Sequence, residues 1–556
     1  MLGIAKRCMG RISLGQEALN APRVTPLAPT LSPNGRGGAP TLAPTLPLEG
    51  KYEISNSRPN GATESSQGWS EAEPLVASSP PSPPRRGGGS WIIELECLRE
   101  QKLGLASART ATVGIRFGLS LSGGPVTIVE RTRLALGPGR IVLFVGPSGS
   151  GKSTALAELE RQFAGGCMVQ RVSFPADVAI LDRVAPWASL GDALSTLTSC
   201  GLGEAALWLR PFEGLSEGEK FRARLARAIA LHSRGDAAAP LLCDEFCASL
   251  HRRAAKAISF CLRKLVTRRS LSIVLACANE DIITDLQPDL IVWFRGRGRC
   301  QVEERSVRPR RPPSFRRRLR IEAGSKRDYD AFAAMHYRAT DELGFVDKVF
   351  VMRDGAGGEP LGIVVYSHGP LELALRNQAT NGLFSRNAGR VNRSLRILRR
   401  LVIHPDVRGC GLGHFLVRKT LPQVGTEYVE CLASMGEFNP VFEKAGMRRI
   451  GQYGVSPRRQ AALDALRNMD VDPNAREFTL HVYRRRGVRE IVSRVVYEWY
   501  AATTGGGERR VQRQSPELLA QTFRGIIASR PVYYLWHGRN VKTPKRQKVK
   551  SREKGI

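Results

Sequence analysis

The stretch Ile141-Val-Leu-Phe-Val145-Gly146-Pro147-Ser148-Gly149-Ser150-Gly151-Lys152-Ser153-Thr154 decides the fold of the first half of the chain. Its first five residues are apolar and predict a buried strand, and a helical pattern follows the glycines. Glycines at such a junction let backbone amides turn toward a phosphate group at the helix N-terminus. We therefore expect residues 146–154 to hold the phosphates of ATP. Lys152 would reach the β and γ phosphates, and the Ser153 hydroxyl would bind Mg²⁺.

A second apolar strand ends in two carboxylates, in Pro240-Leu-Leu-Cys-Asp244-Glu245. A strand that ends in two acidic residues is a weak indication of an ATP site by itself, but a strong one downstream of a phosphate loop. Asp244 would hold Mg²⁺ through water. Glu245 would orient or deprotonate the attacking water, which makes it the candidate catalytic residue for ATP hydrolysis.

The segment Gly214-Leu-Ser216-Glu-Gly218-Glu219-Lys resembles the LSGGQ signature of ABC ATPases. Ser216 and Glu219 also have capping-box spacing, so a plain helix N-cap is the alternative. In that family the signature serine contacts the γ-phosphate held by the opposite subunit. The resemblance therefore implies that Ser216 and Gly218 contact ATP, and that the chain forms a head-to-tail homodimer.

Three positions depart from the ABC pattern. His251 stands where the family has its D-loop aspartate, Asn279 stands where it has the switch histidine, and Asp182 is a weak substitute for the glutamine loop. Asparagine can bond a γ-phosphate but does not titrate as histidine does. We expect Asn279 to contact ATP and hydrolysis to be slow. The short stretch between Lys152 and Ser216 leaves little room for the helical subdomain with which transporter ATPases engage membrane partners, so we expect no membrane partner.

A second glycine motif occurs in Leu398-Arg-Arg-Leu401-Val402-Ile403-His404-Pro-Asp-Val-Arg408-Gly409-Cys410-Gly411-Leu412-Gly413. It resembles motif A of GNAT acetyltransferases, and Asn439-Pro-Val-Phe442-Glu-Lys-Ala-Gly446-Met447 resembles that family's closing segment. Glycines ahead of a helix N-terminus suit a pyrophosphate group. The resemblance implies that acetyl-CoA or another acyl-CoA binds at residues 401–403 and 408–413.

Catalytic residues of this second motif are harder to name. Phe442 stands where the family often has the tyrosine that protonates the departing CoA thiolate. Glu430 and His404 are candidate bases, each at the end of a predicted strand. The pair His336-Tyr337 and Ser434 resemble residues of the phage Mom enzymes, GNAT relatives that modify adenine in DNA. Placement in the core or on the surface is the alternative for each of these candidates.

Composition predicts an α/β protein of several parts. Residues 1–90 are rich in Pro, Gly and Ser, which predicts a disordered tail or a start codon placed too far upstream. The other parts are an ABC-type ATPase domain at 91–304, an Arg/Pro-rich solvated linker at 305–320, an α+β GNAT domain at 321–488, and a helical extension with a basic tail at 489–556.

The chain has 556 residues and a formal net charge of +33, which predicts attraction to polyanions such as nucleic acid. Its apolar runs are far shorter than the roughly 20 residues that cross a bilayer, and no secretory signal is recognisable, so we expect a cytoplasmic protein. The eleven cysteines form no CxxC pair, which favours reduced core thiols over metal ligands.

Three functions fit these features. The first is an ATP-gated acyltransferase that modifies nucleic acid. The second keeps acyl transfer but directs it to protein lysines or a small amine, with ATP as regulator. The third is a nucleic-acid-binding switch with little chemistry, which the departures at His251, Asn279 and Phe442 favour.

Overall fold

The computed structural model describes residues 90–100, 107–119, 124–163, 166–234, 239–307, 311–336, 343–503, 511–528 and 530–538. The predicted N-terminal tail lies outside the described residues apart from Ser90, and so do Tyr337 and the basic C-terminal tail. We call residues 90–304 the N-terminal half and residues 311–538 the C-terminal half.

The N-terminal half is built on a mainly parallel sheet. Its strands are β1 (Trp91–Glu100), β2 (Pro125–Leu136), β3 (Ile141–Val145), β4 (Cys167–Met168), β5 (Leu241–Cys243), β6 (Ile273–Cys277), β7 (Leu290–Gly296) and β8 (Arg299–Glu304). Six of them follow the order β4-β5-β6-β3-β7-β8, in which only β8 is antiparallel, while β1 and β2 form a separate antiparallel pair. Strand β3 is buried along its whole length, as its apolar sequence predicts. The expected α/β class is confirmed.

The described helices of this half are α1 (Ala108–Phe117), α2 (Lys152–Gln162), α3 (Ile180–Val184), α4 (Leu190–Ser199), α5 (Ala205–Trp208), α6 (Glu217–His232), α7 (Arg252–Arg269) and α8 (Ile283–Leu286). Helices α3, α4 and α5 occupy the stretch between Lys152 and Ser216. A short helical segment is therefore present where the sequence suggested little room for one.

The C-terminal half contains a seven-stranded sheet of order β14-β15-β13-β12-β11-β10-β9. Its strands are β9 (Leu319–Gly324), β10 (Val346–Asp354), β11 (Pro360–Ser367), β12 (Leu395–Ile403), β13 (Tyr428–Ala433), β14 (Arg448–Gln452) and β15 (Val532–His537). All neighbours are antiparallel except β12 and β13. That parallel pair bonds only from Leu395 to Ile397 on β12 and then diverges.

The described helices of the C-terminal half are α9 (Asp330–Ala333), α10 (Ala374–Ala379), α11 (Ala388–Ser394), α12 (Leu412–Thr420), α13 (Val441–Ala445), α14 (Pro457–Asn468), α15 (Phe478–Arg484), α16 (Arg486–Thr503) and α17 (Pro516–Ala528). The last four lie between β14 and β15 and share a core of their own, which includes Leu466, Phe478, Val492 and Phe523. We call residues 457–528 the helical insert.

The predicted boundary at residue 488 is wrong, because the sheet of the C-terminal half is completed by β15. That strand pairs with β13 and β14. Residues 489–528 therefore belong to an insertion within the C-terminal half and do not follow it. The boundary was placed too early because the helical sequence of the insert hides the strand that comes after it.

Helix α7 joins the two halves, because it contributes to two cores. Ile258 and Leu262 pack in the core of the N-terminal half, whereas Ala257, Phe260 and Cys261 pack with residues of the C-terminal half. Buried small side chains along α7 allow close approach from both sides. The two sheets are therefore connected through a shared apolar interface.

The segment from residue 311 to 318 is packed, in contrast to the solvated linker that the arginines and prolines predict. The Ser314 amide and hydroxyl both donate to the buried Asp285 carboxylate, at 2.6 Å each. Phe315 is buried, and the Arg316 guanidinium lies 4.2 Å from the ring centre of Phe415. Composition does not predict this packing, because Phe315 is a single apolar residue in a segment of charged residues.

Candidate functional site

The phosphate loop lies at the carboxyl end of β3, directly before α2, and residues 147–149 are exposed. Two of its glycines are required by packing. A side chain at Gly146 would come within 2.6 Å of the Phe294 carbonyl oxygen. Gly151 has φ of +100°, and a side chain there would lie 2.7 Å from Ile128. Glycine at these two positions therefore allows the tight path by which the loop reaches the N-terminus of α2.

Lys152 folds back over this loop. Its Nζ donates to the carbonyl oxygens of Gly146 at 2.9 Å and Pro147 at 2.7 Å. Burial lowers the pKa of Lys152, while the nearby charges of Asp244 and Glu245 oppose that effect. The lysine and the two carboxylates therefore lie within electrostatic reach of one another, as the sequence predicts for one ATP site.

Asp244 and Glu245 follow β5 at the same edge of the sheet. Glu245 has φ of +44°, a conformation that a side-chain-bearing residue seldom adopts and that is concentrated at functional sites. Its amide donates to Asp244 Oδ1 at 2.8 Å. The Ser153 hydroxyl and the Asp244 carboxylate supply the oxygen ligands that Mg²⁺ prefers, so these residues fit a Mg²⁺·ATP complex.

Gln170 is a site residue that the sequence analysis missed. Its side chain bonds the backbone of Asp244 in both directions, with Oε1 accepting from the Asp244 amide at 3.3 Å and Nε2 donating to the Asp244 carbonyl. Asp182, the weak substitute named from the sequence, is exposed on α3. The pairing of β4 with β5 sets this contact. The available sequence signal was a glutamine directly after a short strand.

Asn279 follows β6, and its amide donates to Cys277 Sγ at 3.2 Å. Strand β6 lies beside β3, so Asn279 stands at the same sheet edge as the phosphate loop. Burial raises the pKa of Cys277, which keeps this thiol protonated. The residue at the predicted switch position therefore lies next to the nucleotide site.

The chain is similar in sequence to several import ATP-binding proteins. The chain is 32% identical over 140 residues to an aliphatic sulfonates import ATP-binding protein of Paracoccus denitrificans, covering 21% of this chain and 54% of the relative. It is 27% identical over 221 residues to a zinc import ATP-binding protein of Alkalilimnicola ehrlichii, covering 37% and 82%. A hemin import ATP-binding protein of Thermobifida fusca is 30% identical over 154 residues, covering 22% and 54%. The chain carries an ABC-type ATPase domain.

The chain spans about half the length of two of these curated relatives. No family model matches the chain. Among solved structures, a dimeric bacterial ABC transporter cassette is 18% identical and covers 39% of this chain and all of its own, with a TM-score of 0.29. A second dimeric cassette bound to ADP and phosphate is 16% identical, with a TM-score of 0.30. Among the described residues, no helix is both long and apolar enough to span a bilayer.

The segment that resembles the ABC signature stands at the start of α6. Ser216 is exposed at the N-cap, and its amide donates to Glu219 Oε2 at 2.8 Å, so the capping box exists. A side chain at Gly218 would come within 2.9 Å of Leu250. The capping box and the signature are compatible, because the cap leaves Ser216 at the surface, where a second molecule can reach it.

The D-loop position of the ATPase domain touches the C-terminal half. His251 Nδ1 lies 3.6 Å from Asp406 Oδ2, and His404 Nδ1 lies 3.8 Å from the same oxygen. Arg253 forms an ion pair of 2.5 Å with Glu359, and this bond lowers the pKa of Glu359. His404 therefore lies at the junction between the halves, where it also accepts from the Asp406 amide.

The second glycine loop, residues 408–413, lies between β12 and α12 as predicted, but its first three residues face the ATPase domain. Arg408 donates to the carbonyl oxygens of Gly203 and Met335 and pairs with Glu204 at 3.2 Å. The guanidinium is therefore engaged by protein and is not directed at a pyrophosphate. This corrects the predicted cofactor role of Arg408.

Gly409 and Cys410 are engaged in the same interface. A side chain at Gly409, whose φ is +81°, would come within 2.8 Å of the Thr198 carbonyl oxygen of α4. Cys410 is buried, with Sγ 3.8 Å from Cys261 Sγ of α7. The predicted roles of Gly409 and Cys410 in binding a cofactor are thus replaced, in this structure, by contacts between the halves.

The rest of the loop forms the start of α12. Gly411 is the N-cap of α12 with φ of +81°, and no side chain caps the helix. The backbone amide of Phe415 is the first in α12 to donate to a carbonyl of the same helix end, that of Gly411. The amides of Leu412, Gly413 and His414 come before it and have no such acceptor within the helix. Gly413 packs over Leu401 and Ile403 of β12. Residues 401–403, including Val402, pair with β11 on one side and face the diverging β13 on the other.

Glu430 is fully buried on β13 and is held by two partners. Its carboxylate forms a bidentate pair with Arg376, at 2.9 and 2.8 Å, and accepts from the Tyr533 hydroxyl at 2.8 Å. Neither Glu430 nor Arg376 is exposed. This environment does not suit a base that must meet an incoming amine, so the geometry corrects the predicted role of Glu430 to a structural one.

The other candidates occupy different places. Ser434 is half-buried directly after β13, at the end of the sheet where the parallel pair has separated. His336 is half-buried after α9, and its partner in the predicted pair, Tyr337, lies outside the described residues. Phe442 is buried on α13, with its ring centre 5.4 Å from that of Tyr534. Tyr534 is a phenol that the sequence analysis did not name.

Proposed function

We propose that the protein is an ATP-gated acyltransferase. Its ABC-type ATPase domain would bind and hydrolyse Mg²⁺·ATP, and its C-terminal half would transfer an acyl group from acyl-CoA, as the GNAT resemblance implies. The observation that carries the proposal is the position of residues 408–413. They follow β12 after a short turn, include the start of α12, and contact α4 and α7 of the ATPase domain.

The ATP half of the proposal rests on one edge of the first sheet. Residues 146–154 and Asn279 follow the neighbouring strands β3 and β6, and Asp244 and Glu245 follow β5. Ser153 and Asp244 would hold Mg²⁺, and Glu245 would activate water. Gln170 would carry changes at the Mg²⁺ site toward the helical segment α3–α5, because it contacts Asp244 and lies before that segment in the chain.

The exposed Ser216 supports a head-to-tail homodimer. With Gly218 beside it, this serine would complete the ATP site of a second copy, as the signature resemblance implies. ATP would then lie between two copies, and its hydrolysis would release them. The dimer would also bring a second copy close to His251, which contacts the C-terminal half through Asp406.

The acyl-CoA half of the proposal rests on the divergence of β12 from β13. Strand β13 does not pair with residues 401–403, and an extended ligand would bond backbone groups of β12 in this gap. The Ile403 carbonyl already accepts from Arg408 Nε at 2.8 Å. The free amides at the start of α12 suit an anionic pyrophosphate group. Gly411, Leu412 and Gly413 remain the predicted contacts there.

In acyl transfer, an acceptor amine attacks the thioester carbonyl, a C–N bond forms and the C–S bond breaks. The amine loses a proton, and the departing thiolate accepts one. Tyr534 is the candidate donor of that second proton, because it packs on Phe442, which stands where the GNAT family often has its tyrosine. Its hydroxyl is buried and donates to the Gly436 carbonyl at 3.1 Å, so it would have to leave that acceptor to protonate the thiolate. Burial raises the pKa of Tyr534 to about 12, so its hydroxyl is protonated at neutral pH.

Nucleic acid is the proposed acceptor, because the net charge of +33 favours a polyanion. An amine of a base or of a modified nucleotide would be acylated. Protein lysines and small amines remain the acceptors of the second function named from the sequence. The binding switch remains the third, since His251, Asn279 and Phe442 depart from their families' patterns.

A further candidate, a subunit of an importer, is suggested by the relatives, whose names describe import ATP-binding proteins. An importer subunit would need a free surface for a membrane partner. The contacts of Thr198 and Gly203 with the C-terminal half cover part of the helical segment α3–α5. Copurification with a membrane protein, and its loss when this segment is altered, would favour this candidate.

The test uses the full chain with radiolabelled acetyl-CoA, Mg²⁺·ATP, and separate pools of DNA, RNA and protein. Lys152→Ala and Tyr534→Phe are the site variants, and Tyr329→Phe is the control for losing another buried phenol. Label in nucleic acid that requires ATP and both site residues supports the proposal. Label in protein alone would redirect it, and no label with any acyl donor would reject acyl transfer.

A further inference from the structure

The helical insert stands next to the opening between β12 and β13. Val532, the first residue of β15, pairs with Ala433 at the end of β13 and with Gln452 at the end of β14. The insert thus leaves and re-enters the sheet at the end where β13 finishes. Because β12 and β13 are parallel, this is also the end at which β12 runs into the glycine loop.

Contacts fix the insert at this position. Gln452 Nε2 donates to Glu437 Oε2 at 3.1 Å and to the Arg530 carbonyl at 3.1 Å. The Tyr534 hydroxyl donates to the Gly436 carbonyl at 3.1 Å. The segment that follows Ser434 is therefore tied to the base of the insert.

The surface formed by α15 and α16 is strongly basic. Arg484, Arg489 and Arg494 are exposed, and no carboxylate among the described residues forms an ion pair with any of them. Among the described residues Arg486 pairs only with Glu490, and both side chains are exposed, so the pair is weak and easily exchanged for another anion. The spacing of residues 486, 490, 494 and 497 places them along one side of α16. Arg489 lies on the flank of that side, about 60° around the helix from Arg486.

Exposed aromatic rings lie among these arginines. Tyr483 is 67% exposed at the end of α15, directly before the basic run, and Tyr497 is 42% exposed on α16. Residues 486 to 497 extend over about 16 Å of helix at 1.5 Å per residue. Cations that bond phosphates, together with rings on which bases stack, are the combination that binds single-stranded nucleic acid without base pairing.

We propose that the helical insert binds a single-stranded segment of nucleic acid through Tyr483, Arg484, Arg489, Arg494 and Tyr497. This surface would hold the acceptor at the opening between β12 and β13. The claim that the bound strand is the acyl acceptor rests on the proposed function. Binding itself does not require acyl transfer, so the two can be tested separately.

Binding is measured by fluorescence anisotropy of a labelled single-stranded oligonucleotide with the full chain, over a series of salt concentrations. The Arg489→Glu/Arg494→Glu variant should bind at least tenfold more weakly. Its plot of log affinity against log salt should flatten by about 1.4, because each phosphate that an arginine no longer neutralises removes about 0.7 from the slope. Tyr483→Ala should lower the affinity roughly five- to a hundredfold with the salt slope unchanged.

The matched control is Arg320→Glu/Arg467→Glu. It makes the same change in net charge on exposed positions of β9 and α14, and it should bind nearly as the native chain does. Equal weakening by the control and the test variant would overturn the proposal, since it would show a nonspecific charge effect. Preference for a blunt duplex, or for phosphatidylserine vesicles over the oligonucleotide, would also overturn it.

Failure of this proposal is distinguishable from failure of the proposed function. If the test variant loses oligonucleotide binding while no acyl donor labels any pool, the surface is supported and acyl transfer is rejected. If nucleic acid is labelled equally by the native chain and the test variant, acyl transfer is supported and this surface is rejected. Circular dichroism of each variant confirms that the insert is folded in both cases.

Discussion

Single residues decide how well the ATP site works, and Asn279 is the one that departs from the ABC pattern at the site itself. Its amide group can bond a γ-phosphate but cannot exchange a proton. We expect Asn279→His to raise ATP hydrolysis roughly tenfold, because a positioned imidazole adds proton transfer to a site that lacks it. Hydrolysis at saturating ATP is the measurement. Asn468→His, on exposed α14, is the control, and an equal gain in both variants would contradict the argument.

His232 gives the protein a predictable response to acid. It lies in the last turn of α6, and its Nε2 atom has no hydrogen-bond partner among the described residues. Burial lowers the pKa of His232 below its usual value near 6.5. The unfolded chain therefore binds this proton more readily than the folded one, so stability falls as pH drops below about 6.5.

The variant His232→Gln should flatten this dependence, because glutamine does not titrate. Thermal unfolding between pH 5 and pH 8 is the measurement, with His481→Gln on α15 as the control for losing an imidazole elsewhere. A native chain whose stability is unchanged over this range, or a His232→Gln variant with the same acid sensitivity, would refute the assignment.

At the scale of elements, three parts of the C-terminal half meet at Glu430. Arg376 of α10 and Tyr533 of β15 both bond this carboxylate of β13. Replacing Glu430 with Gln leaves the Arg376 charge buried with no opposite charge, which costs about 3–5 kcal/mol of stability. Urea unfolding should detect this loss. Glu427→Gln, whose carboxylate pairs with His537 at the surface, should cost about 1 kcal/mol or less.

This prediction also separates two roles for Glu430. If Glu430 is structural, the Glu430→Gln variant should be less stable, while its folded fraction keeps its rate of acyl transfer. A general base predicts the reverse, with transfer lost and stability retained. The finding of a stable but inactive Glu430→Gln variant would restore the role that the sequence suggested.

Local signals account for the elements that the sequence predicts well. The phosphate loop, the acidic end of β5 and the capping box at Ser216 each lie within one short stretch of chain, so their chemistry can be read without knowing the fold. Gln170 was missed because its role depends on the pairing of β4 with β5, whose residues lie 74 positions apart. Strand β15 was missed because its partner β13 precedes it by about 100 residues of mostly helical sequence.

At the scale of the whole molecule, the largest difference from expectation is the interface between the halves. The sequence predicts two domains and a solvated linker, yet Cys261 and Cys410 are buried against each other across 149 positions. Apolar residues on the second face of α7 look like ordinary helix-core residues in the sequence. Only the fold shows that this face packs on the C-terminal half.

Arg408 carries the last prediction, because it is the longest side chain that links the glycine loop to the ATPase domain. It reaches Gly203 and Glu204, which follow α4 in the segment before the signature. Burial lowers the pKa of Arg408, while the Glu204 charge opposes that effect, so the charge is kept inside this interface at a cost. If ATP moves this segment, the glycine loop must adjust, and the two sites are coupled.

Coupling between binding sites is reciprocal, so acyl-CoA should change the affinity for a non-hydrolysable ATP analogue by the same factor by which the analogue changes the affinity for acyl-CoA. We expect a factor of roughly 10 in the native chain, measured by calorimetry in both orders. Arg408→Ala should reduce the factor to about 1 while leaving the affinity for the analogue alone unchanged, because Arg408 touches no residue of the phosphate loop. Arg269→Ala removes an arginine that joins α7 to Thr196 within the ATPase domain, and it should keep the coupling. Coupling that survives in Arg408→Ala would mean that ATP acts on the C-terminal half by another route, through His251 and Asp406.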